Sequence, residues 1–192
     1  MIEKDIKFKF KGSRTYIHGT DIYNFLIKFF DDNISKIDLS FHSISNKNIT
    51  LLSSISDNDE LNFVFKYVDS NLEQKVIYAV ENNSLIEEQY DYNEDLIYEN
   101  SQLYLDEEKV SLSKNTGFTF IENIVAMNKY LLENLFEKDG KWYFTRLQLN
   151  KPILDLEGKI EIKLKSNFNF KLTKSEIYAD EKVVGYIYFS LV

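Results

Sequence analysis

The chain has 192 residues, of which 44% are hydrophobic and 15% aromatic, a composition typical of a folded protein with a substantial core. It contains no cysteine and only two histidines, His18 and His42, which excludes disulfides, thiolate nucleophiles and metal sites rich in Cys or His. The net charge of −8 disfavours nucleic acid as a partner, because a phosphate backbone binds mainly to clustered Lys and Arg. We therefore expect neither a metal nor nucleic acid.

The N-terminal stretch "MIEKDIKFKF" alternates charged and apolar residues and lacks the apolar run of a signal peptide. No later segment approaches the roughly 20 apolar residues that a membrane-spanning helix needs. The sequence therefore predicts a cytoplasmic protein that does not contact a membrane.

The first half of the chain predicts one helix among strands. "DIKFKFKG" alternates as a strand does, and "TDIYNFLIKFF" then spaces its apolar residues as a helix does, with Thr20 or Asp21 as the N-cap. Four strand-like runs follow, separated by Asn, Asp and Ser turns: "SKIDLSFHSIS", "NITLLSSIS", "LNFVFKYV" and "QKVIYAV". The predicted order is one strand, one helix and four strands.

The middle of the chain, "ENNSLIEEQYDYNEDLIYENSQLYLDEE", is rich in carboxylates and has no Lys or Arg. Such self-repulsion does not suit a core, so this stretch is predicted to connect two halves. The predicted limits are 1–85 for the first half, 86–100 for an acidic linker and 101–192 for the second half.

The second half repeats the order of the first. "QLYLDEEKVSL" predicts a strand, and "TFIENIVAMNKYLLENLF" predicts the strongest helix of the chain, with Thr119 and Glu122 at the spacing of a capping box. Four strands follow: "GKWYFTRLQL", "GKIEIKLKS", "NFKLTKSEIYAD" and "KVVGYIYFSLV". Since a repeated order of elements is typical of internal duplication, we predict a structural repeat.

The stretch "GFTFIENIVAMNKYLLENLF" followed by "KWYFTRLQLNKPI" resembles the helix and second strand of the hot-dog fold of thioesterases, dehydratases and enoyl hydratases. With both halves included, the chain resembles a double hot-dog protein of the α+β class. That resemblance implies two copies of a long helix wrapped by an antiparallel sheet, with one continuous sheet. More loosely, its length and Lys-, Asn- and Ile-rich composition resemble flagella-coexpressed hot-dog virulence proteins of campylobacters.

The resemblance implies a ligand and two catalytic positions. Hot-dog proteins bind acyl thioesters such as acyl-CoA, here in a tunnel between the two repeats, without a further cofactor. In the dehydratase and hydratase branch a histidine before one helix faces an acid on the other helix, and the matching residues are His18 and Glu122. The histidine would take a proton beside the carbonyl while the acid handles the hydroxyl. In a thioesterase branch the matching residue is Asp21, at the start of the first helix.

Other residues near the two helix starts are candidate binding residues. The guanidinium of Arg14 could form two parallel hydrogen bonds to a phosphate or a carboxylate. Gly19, Thr20 and Asn123 are predicted to bind substrate where helix amides polarise a carbonyl oxygen. Each catalytic candidate also has a structural interpretation: His18 as a loop residue bonded to the backbone, Glu122 as half of a capping box, and Asp21 as a cap.

Three functional hypotheses remain open from the sequence. The first is an acyl-thioester binder whose catalytic centre is eroded or absent. The second is an active hydratase, dehydratase or thioesterase acting on acyl-CoA through His18 with Glu122 or Asp21. The third is a structural or partner-binding module, and a homodimer is compatible with all three.

Overall fold

The structure is a computed structural model that describes residues 3–30, 33–57, 59–155 and 158–192. The chain packs as two compact units, Met1–Asn93 and Glu94–Val192. Each unit combines an antiparallel sheet with helix, so the predicted α+β class is confirmed. Among the described residues, no helix is both long and apolar enough to cross a membrane.

The first unit contains one long helix and a five-stranded antiparallel sheet. Within the unit the strands lie in the order β1-β4-β6-β5-β3, and β2 and β7 form a separate parallel pair. The elements are β1 (Glu3–Ile6), β2 (Phe10–Lys11), α1 (Gly19–Phe30), β3 (Ser35–Phe41), β4 (Lys47–Leu52), β5 (Leu61–Val68), β6 (Gln74–Leu85) and β7 (Gln89–Tyr90).

The single strand predicted for "DIKFKFKG" is wrong, because the chain leaves the sheet after β1. The backbone N–H of Phe8 donates to the side-chain oxygen of Asn48 in β4 at 2.7 Å instead of to a backbone carbonyl of that strand. The chain then pairs with β7 through β2 and turns at Gly12, whose φ of 59° suits glycine. Alternation of residue type does not distinguish one long strand from two short ones that pair with different partners.

Helix α1 begins at Gly19, which makes His18 the N-cap, so the predicted N-cap at Thr20 or Asp21 lies two or three residues too late. The carbonyl oxygen of His18 accepts the backbone N–H of Asp21 at 3.0 Å, and Thr20 and Asp21 belong to the first turn. At the other end of α1, the Phe30 ring stacks on Phe65 of β5 with centroids 5.7 Å apart.

The second unit contains a longer helix and a six-stranded antiparallel sheet in the order β8-β9-β11-β12-β13-β10. The strand predicted for "QLYLDEEKVSL" is in fact a hairpin, since a short 3-10 turn at Leu105–Glu107 and the left-handed Glu108 reverse the chain. The elements are α2 (Asp95–Asn100), β8 (Ser101–Tyr104), β9 (Lys109–Leu112), α3 (Phe120–Leu135), β10 (Trp142–Leu149), β11 (Ile160–Phe168), β12 (Leu172–Ala179) and β13 (Lys182–Leu191).

Part of the acidic stretch forms helix α2, which packs against α3. Ile97 is fully buried, and the Tyr98 ring stacks on Tyr130 of α3 at 4.9 Å. A salt bridge of 2.9 Å joins Lys129 of α3 to Glu94. One apolar side chain and one ion pair therefore give this stretch local structure, while the predicted limits of the linker stay a prediction.

Helix α3 is the centre of the second unit and packs against β9, β10 and β11. Its predicted broad apolar face is confirmed, because nearly every residue from Phe120 to Leu132 is buried. The predicted capping box of Thr119 and Glu122 is also present. Local patterning thus predicted both the position and the start of this helix.

The two sheets have the same order of elements along the chain, but their strands lie in a different order within each sheet. In both units the second strand after the helix pairs with a strand that precedes the helix, β4 with β1 and β11 with β9. In the first unit the last strand, β6, lies next to β4. In the second unit the third strand, β12, lies next to β11. Two strands are therefore exchanged, and the units are not exact copies in topology.

Candidate functional site

The start of α1 is built around a buried lysine. Lys11 is 0% exposed, and its ammonium lies 2.9 Å from Thr20 Oγ1 and 3.2 Å from Asp21 Oδ1. The Asp21 side chain retains only 15% of its exposure. Because an ammonium loses much hydration on burial, this charge depends on the carboxylate and the hydroxyl for its stability.

Two tyrosines from the end of the first unit complete this cluster. The pairing of β2 with β7 brings them to α1, where the Tyr90 hydroxyl donates to Asp21 Oδ1 at 2.7 Å. The Lys11 ammonium lies 4.3 Å from the centre of the Tyr92 ring, and the Arg14 guanidinium lies 5.5 Å from the same ring. Cation–π contacts of this kind stabilise a desolvated cation. We call Lys11, Thr20, Asp21, Tyr90 and Tyr92 the Lys11 cluster.

His18 lies at the edge of the Lys11 cluster and is half-buried. Its Nδ1 atom lies 2.7 Å from Thr20 Oγ1, so the ring is oriented by the same hydroxyl that Lys11 contacts. Gly19, which follows it, is the first residue of α1 and is also half-buried. The histidine is therefore a positioned side chain rather than a freely rotating loop residue.

The start of α3 is built from the hydrogen bonds of a capping box and one backbone hydrogen bond from a distant loop. The Glu122 carboxylate accepts the backbone N–H of Thr119 at 2.9 Å and its hydroxyl at 2.7 Å. The backbone N–H of Phe120 donates to the Leu154 carbonyl at 2.9 Å. The structural interpretation of Glu122 as half of a capping box thus has direct geometric support.

Asn123 lies one residue further and is 7% exposed. Its side-chain oxygen accepts the Thr116 hydroxyl at 2.7 Å, and its amide nitrogen donates to the Phe118 carbonyl at 3.1 Å. These two hydrogen bonds fix the orientation of the Asn123 amide. Because a side-chain amide can make four hydrogen bonds in total, Asn123 can make further hydrogen bonds beyond these two.

A pocket of about 320 Å³ opens beside Asn123 in the second unit. Its wall combines side chains from the end of β9, the loop before α3, the first turn of α3, the loop after β10 and the start of β11, among them Leu112, Lys114, Phe118, Asn123, Asp155 and Ile160. Clefts that bind small molecules combine an apolar wall with a few placed polar groups. The surface of this pocket, called the α3 pocket, is mostly polar, and its apolar part comes from Leu112, Phe118 and Ile160.

The structure groups the predicted site residues within each unit. Those of the first unit surround the Lys11 cluster: Arg14, His18, Gly19, Thr20 and Asp21. Those of the second unit, Glu122 and Asn123, lie together at the start of α3. That the two groups meet at one ligand stays a prediction.

Two residues with unusual environments were not among the predicted site residues. Lys11 alternates with Phe8 and Phe10 like an outward-facing strand residue, so no local pattern indicated its burial. Asn128 of α3 is 0% exposed, and within the described residues neither polar atom of its side chain has a hydrogen-bond partner. The sequence did contain a signal for the burial of Asn128, because it lies four positions from both Ile124 and Leu132 and therefore on the apolar face of the predicted helix.

Within the described residues, no cluster of three or more His, Asp or Glu side chains has the arrangement of a metal site. The ionic groups of the Lys11 cluster include one carboxylate and one ammonium, and a cation would compete with Lys11 for Asp21. Groups that could bind an organic ligand include the amide of Asn123, the imidazole of His18 and the exposed ammonium of Lys114.

No protein-family profile and no curated protein matches the chain. Among solved structures it is similar to the dehydratase domain of RzxB from Pseudomonas fluorescens, at 9% identity and a TM-score of 0.45 over 98% of this chain and 94% of that one. It is also similar to an acyl-ACP thioesterase from Bacteroides thetaiotaomicron, at 8% identity and a TM-score of 0.43 over 98% and 97%. A tesB protein of Mycobacterium avium subsp. paratuberculosis has 5% identity and a TM-score of 0.49 over 98% and 90%.

These similar structures are a dehydratase domain and two proteins named as an acyl-ACP thioesterase and a tesB protein. The resemblance of this chain to the hot-dog family stays a prediction. The looser resemblance to virulence proteins of campylobacters stays a prediction.

Proposed function

We propose that this chain is a double hot-dog protein that binds an acyl thioester such as acyl-CoA in a tunnel between its two repeats, with a catalytic centre that is eroded or absent. The observation that carries the proposal is the α3 pocket, which places the buried amide of Asn123 beside the apolar side chains of Leu112, Phe118 and Ile160. The resemblance of the α3 sequence to the hot-dog helix supports the same ligand class.

The chemistry of the α3 pocket suits each part of such a ligand. The smaller, apolar part of the wall would contact the acyl chain and contribute roughly 25 cal/mol for each Å² of apolar surface removed from water. The remaining bonding position of the Asn123 amide nitrogen suits the thioester carbonyl. Lys114 is exposed at the rim and suits the phosphates of coenzyme A.

The eroded catalytic centre is supported by the contacts of Glu122. Its carboxylate already accepts two hydrogen bonds from Thr119, and both stabilise the charged form that a cap requires. A general acid must instead be protonated and must reach the reacting oxygen. The cap contacts therefore favour a structural role for Glu122.

Binding can be measured by native mass spectrometry and calorimetry with butyryl-CoA and palmitoyl-CoA. We expect binding without turnover, and Lys114→Glu should weaken it about tenfold because a charge contact of about 1.4 kcal/mol is lost. The matched control is Lys171→Glu, an exposed lysine of the same unit that does not line the α3 pocket. Failure of both thioesters to bind would refute the proposal, and the same spectra report whether the protein is a homodimer.

The second candidate is an active hydratase, dehydratase or thioesterase that uses His18 with Glu122 or Asp21. The observation that favours it is the His18 ring, which is half-buried and held by Thr20 as a catalytic imidazole would be. Turnover of crotonyl-CoA or palmitoyl-CoA that disappears in both His18→Ala and Glu122→Ala, with melting temperatures little changed, would establish this enzyme instead.

A further inference from the structure

The start of α1 contains a chain of three polar groups whose hydrogens can be counted. Lys11 Nζ lies 2.9 Å from Thr20 Oγ1, and Thr20 Oγ1 lies 2.7 Å from His18 Nδ1. Lys11 and Thr20 are both 0% exposed, so packing holds these contacts in place. The question is which atom of this chain carries each proton.

The direction of the first bond is determined by Lys11. Its ammonium is paired with Asp21 at 3.2 Å and has only donors, so Thr20 Oγ1 must accept from it. The Thr20 hydroxyl then has a single hydrogen to donate. The acceptors within its reach are His18 Nδ1 at 2.7 Å and Asp21 Oδ1 at 3.5 Å.

The distances favour His18 as the acceptor of that hydrogen. A contact of 2.7 Å is ordinary for a hydroxyl donor, whereas 3.5 Å is beyond the usual range. Asp21 Oδ1 also accepts the Tyr90 hydroxyl at 2.7 Å, in addition to its contact with Lys11. A hydrogen on Thr20 therefore points to His18 Nδ1, which must then be unprotonated in the neutral ring.

We propose that Lys11 and Thr20 hold neutral His18 in the tautomer that carries its proton on Nε2. Lys11 and Thr20 are thereby positioning residues, since they act on the site through His18. The hydrogen bond that one ring nitrogen makes determines whether the other nitrogen carries the proton. For His18 that hydrogen bond comes from the Thr20 hydroxyl, and the buried ammonium of Lys11 fixes the direction of that hydroxyl.

This tautomer defines what His18 can do to a ligand. An Nε2–H group donates a hydrogen bond to a carbonyl or phosphate oxygen, and it cannot accept a proton at that atom. In this tautomer His18 can act on a ligand only as a hydrogen-bond donor through Nε2, and not as a general base at that atom. Only this last step, the identity of the acceptor, rests on the proposed acyl-thioester function.

Nitrogen NMR of protein labelled with ¹⁵N in histidine tests the tautomer directly, because an unprotonated ring nitrogen resonates far downfield of a protonated one. The spectrum contains only His18 and His42, and exposed His42 provides an internal reference for an exchanging ring. At a pH well above ~6.5, where histidine is neutral, we expect one unprotonated Nδ1 and one protonated Nε2 for His18. A protonated Nδ1 in the wild-type protein would overturn the proposal.

The matched variants are Thr20→Val, which removes the hydroxyl at nearly constant volume, and Thr20→Ser, which retains it. We expect Thr20→Val to move the His18 nitrogen shifts towards those of His42 and Thr20→Ser to leave them unchanged. Lys11→Met should also allow the ring to populate both tautomers. If His18 keeps its wild-type shifts in Thr20→Val, then Thr20 does not determine the tautomer and the proposal is wrong.

Titration of the same labelled protein with butyryl-CoA separates this inference from the proposed function. A ligand-dependent shift of the protonated Nε2, with Nδ1 still unprotonated, is the expected result. If butyryl-CoA binds without shifting Nε2, His18 is not a ligand donor and the binding role is refuted. If butyryl-CoA does not bind, the proposed function fails on that ligand, while the spectrum of the unliganded protein still decides the tautomer.

Discussion

The two long helices begin in chemically different ways. The start of α1 depends on the buried pair of Lys11 and Asp21, together with a tyrosine hydroxyl that comes from residue 90. The start of α3 depends on the capping box of Thr119 and Glu122, which lie three residues apart. One arrangement uses a buried ion pair held by contacts distant in sequence, and the other is capped by side-chain hydrogen bonds within one turn. A shared order of elements therefore does not imply a shared site.

This comparison can be tested most strongly at Lys11. Lys11→Met should reduce the free energy of unfolding by about 3 kcal/mol, because it removes the buried ammonium that contacts the largely buried carboxylate of Asp21. The estimate is at the low end of the range for broken buried pairs, since Asp21 keeps the Tyr90 hydroxyl. Urea denaturation measures this change.

The control for Lys11 is Lys9→Met, which removes an exposed salt bridge to Glu88 and should change stability far less. The double variant Lys11→Met with Asp21→Asn should recover much of the loss, since no unpaired charge is then buried. If Lys9→Met and Lys11→Met were equally destabilising, the buried pair would not distinguish the start of α1 from the surface of the unit.

A change of opposite sign is expected in the middle of α3. Asn128→Leu should raise the free energy of unfolding by about 1–2 kcal/mol, because no hydrogen bond within the described residues compensates the buried amide. The matched variant is Asn123→Leu in the same helix, which should be destabilising since it removes the bonds to Thr116 and Phe118. Equal effects of the two substitutions would show that Asn128 has a compensating contact.

Patterns within single segments predicted much of this fold. The apolar spacing located α1 and α3, and the residue types at Thr119 and Glu122 located the capping box. Helix α2 was missed because its single turn and a half buries only Ile97, too little for a periodic pattern. The exchange of two strands between the sheets was also missed, since alternation identifies a strand but not its neighbours.

The candidate site was predictable to a lesser degree. His18 and Asp21 stood out because polar residues at a helix start are informative by themselves. The role of Lys11 depends on Tyr90 and Tyr92, which are about eighty positions away, and no local pattern links them. Contacts between distant residues follow from the folded chain and not from the periodicity of one segment.

The start of α3 should be the milder of the two to perturb. Glu122→Ala should lower the free energy of unfolding by about 1 kcal/mol, as expected for loss of a cap, and should leave acyl-CoA binding unchanged. Glu133→Ala on the exposed side of the same helix is the control and should have little effect. A loss of several kcal/mol on Glu122→Ala would mean that α3, like α1, depends on a buried charge.

The smallest expected difference concerns tyrosines in the two units. The pKa of Tyr67, in the first unit, is raised mainly by burial, whereas in the second unit the hydrogen bond from the Tyr178 hydroxyl to Glu176 raises the pKa of Tyr178 to about 12. That bond stabilises the fold fully below the ordinary tyrosine pKa of 10.0, and its contribution is lost as the pH rises through about 12.

The difference between the tyrosinate absorbance of wild-type protein and Tyr178→Phe should show this late titration. Glu176→Gln should lower the pKa of Tyr178 without changing that of Tyr67, and an unchanged Tyr178 titration would show that burial, rather than the hydrogen bond, raises both.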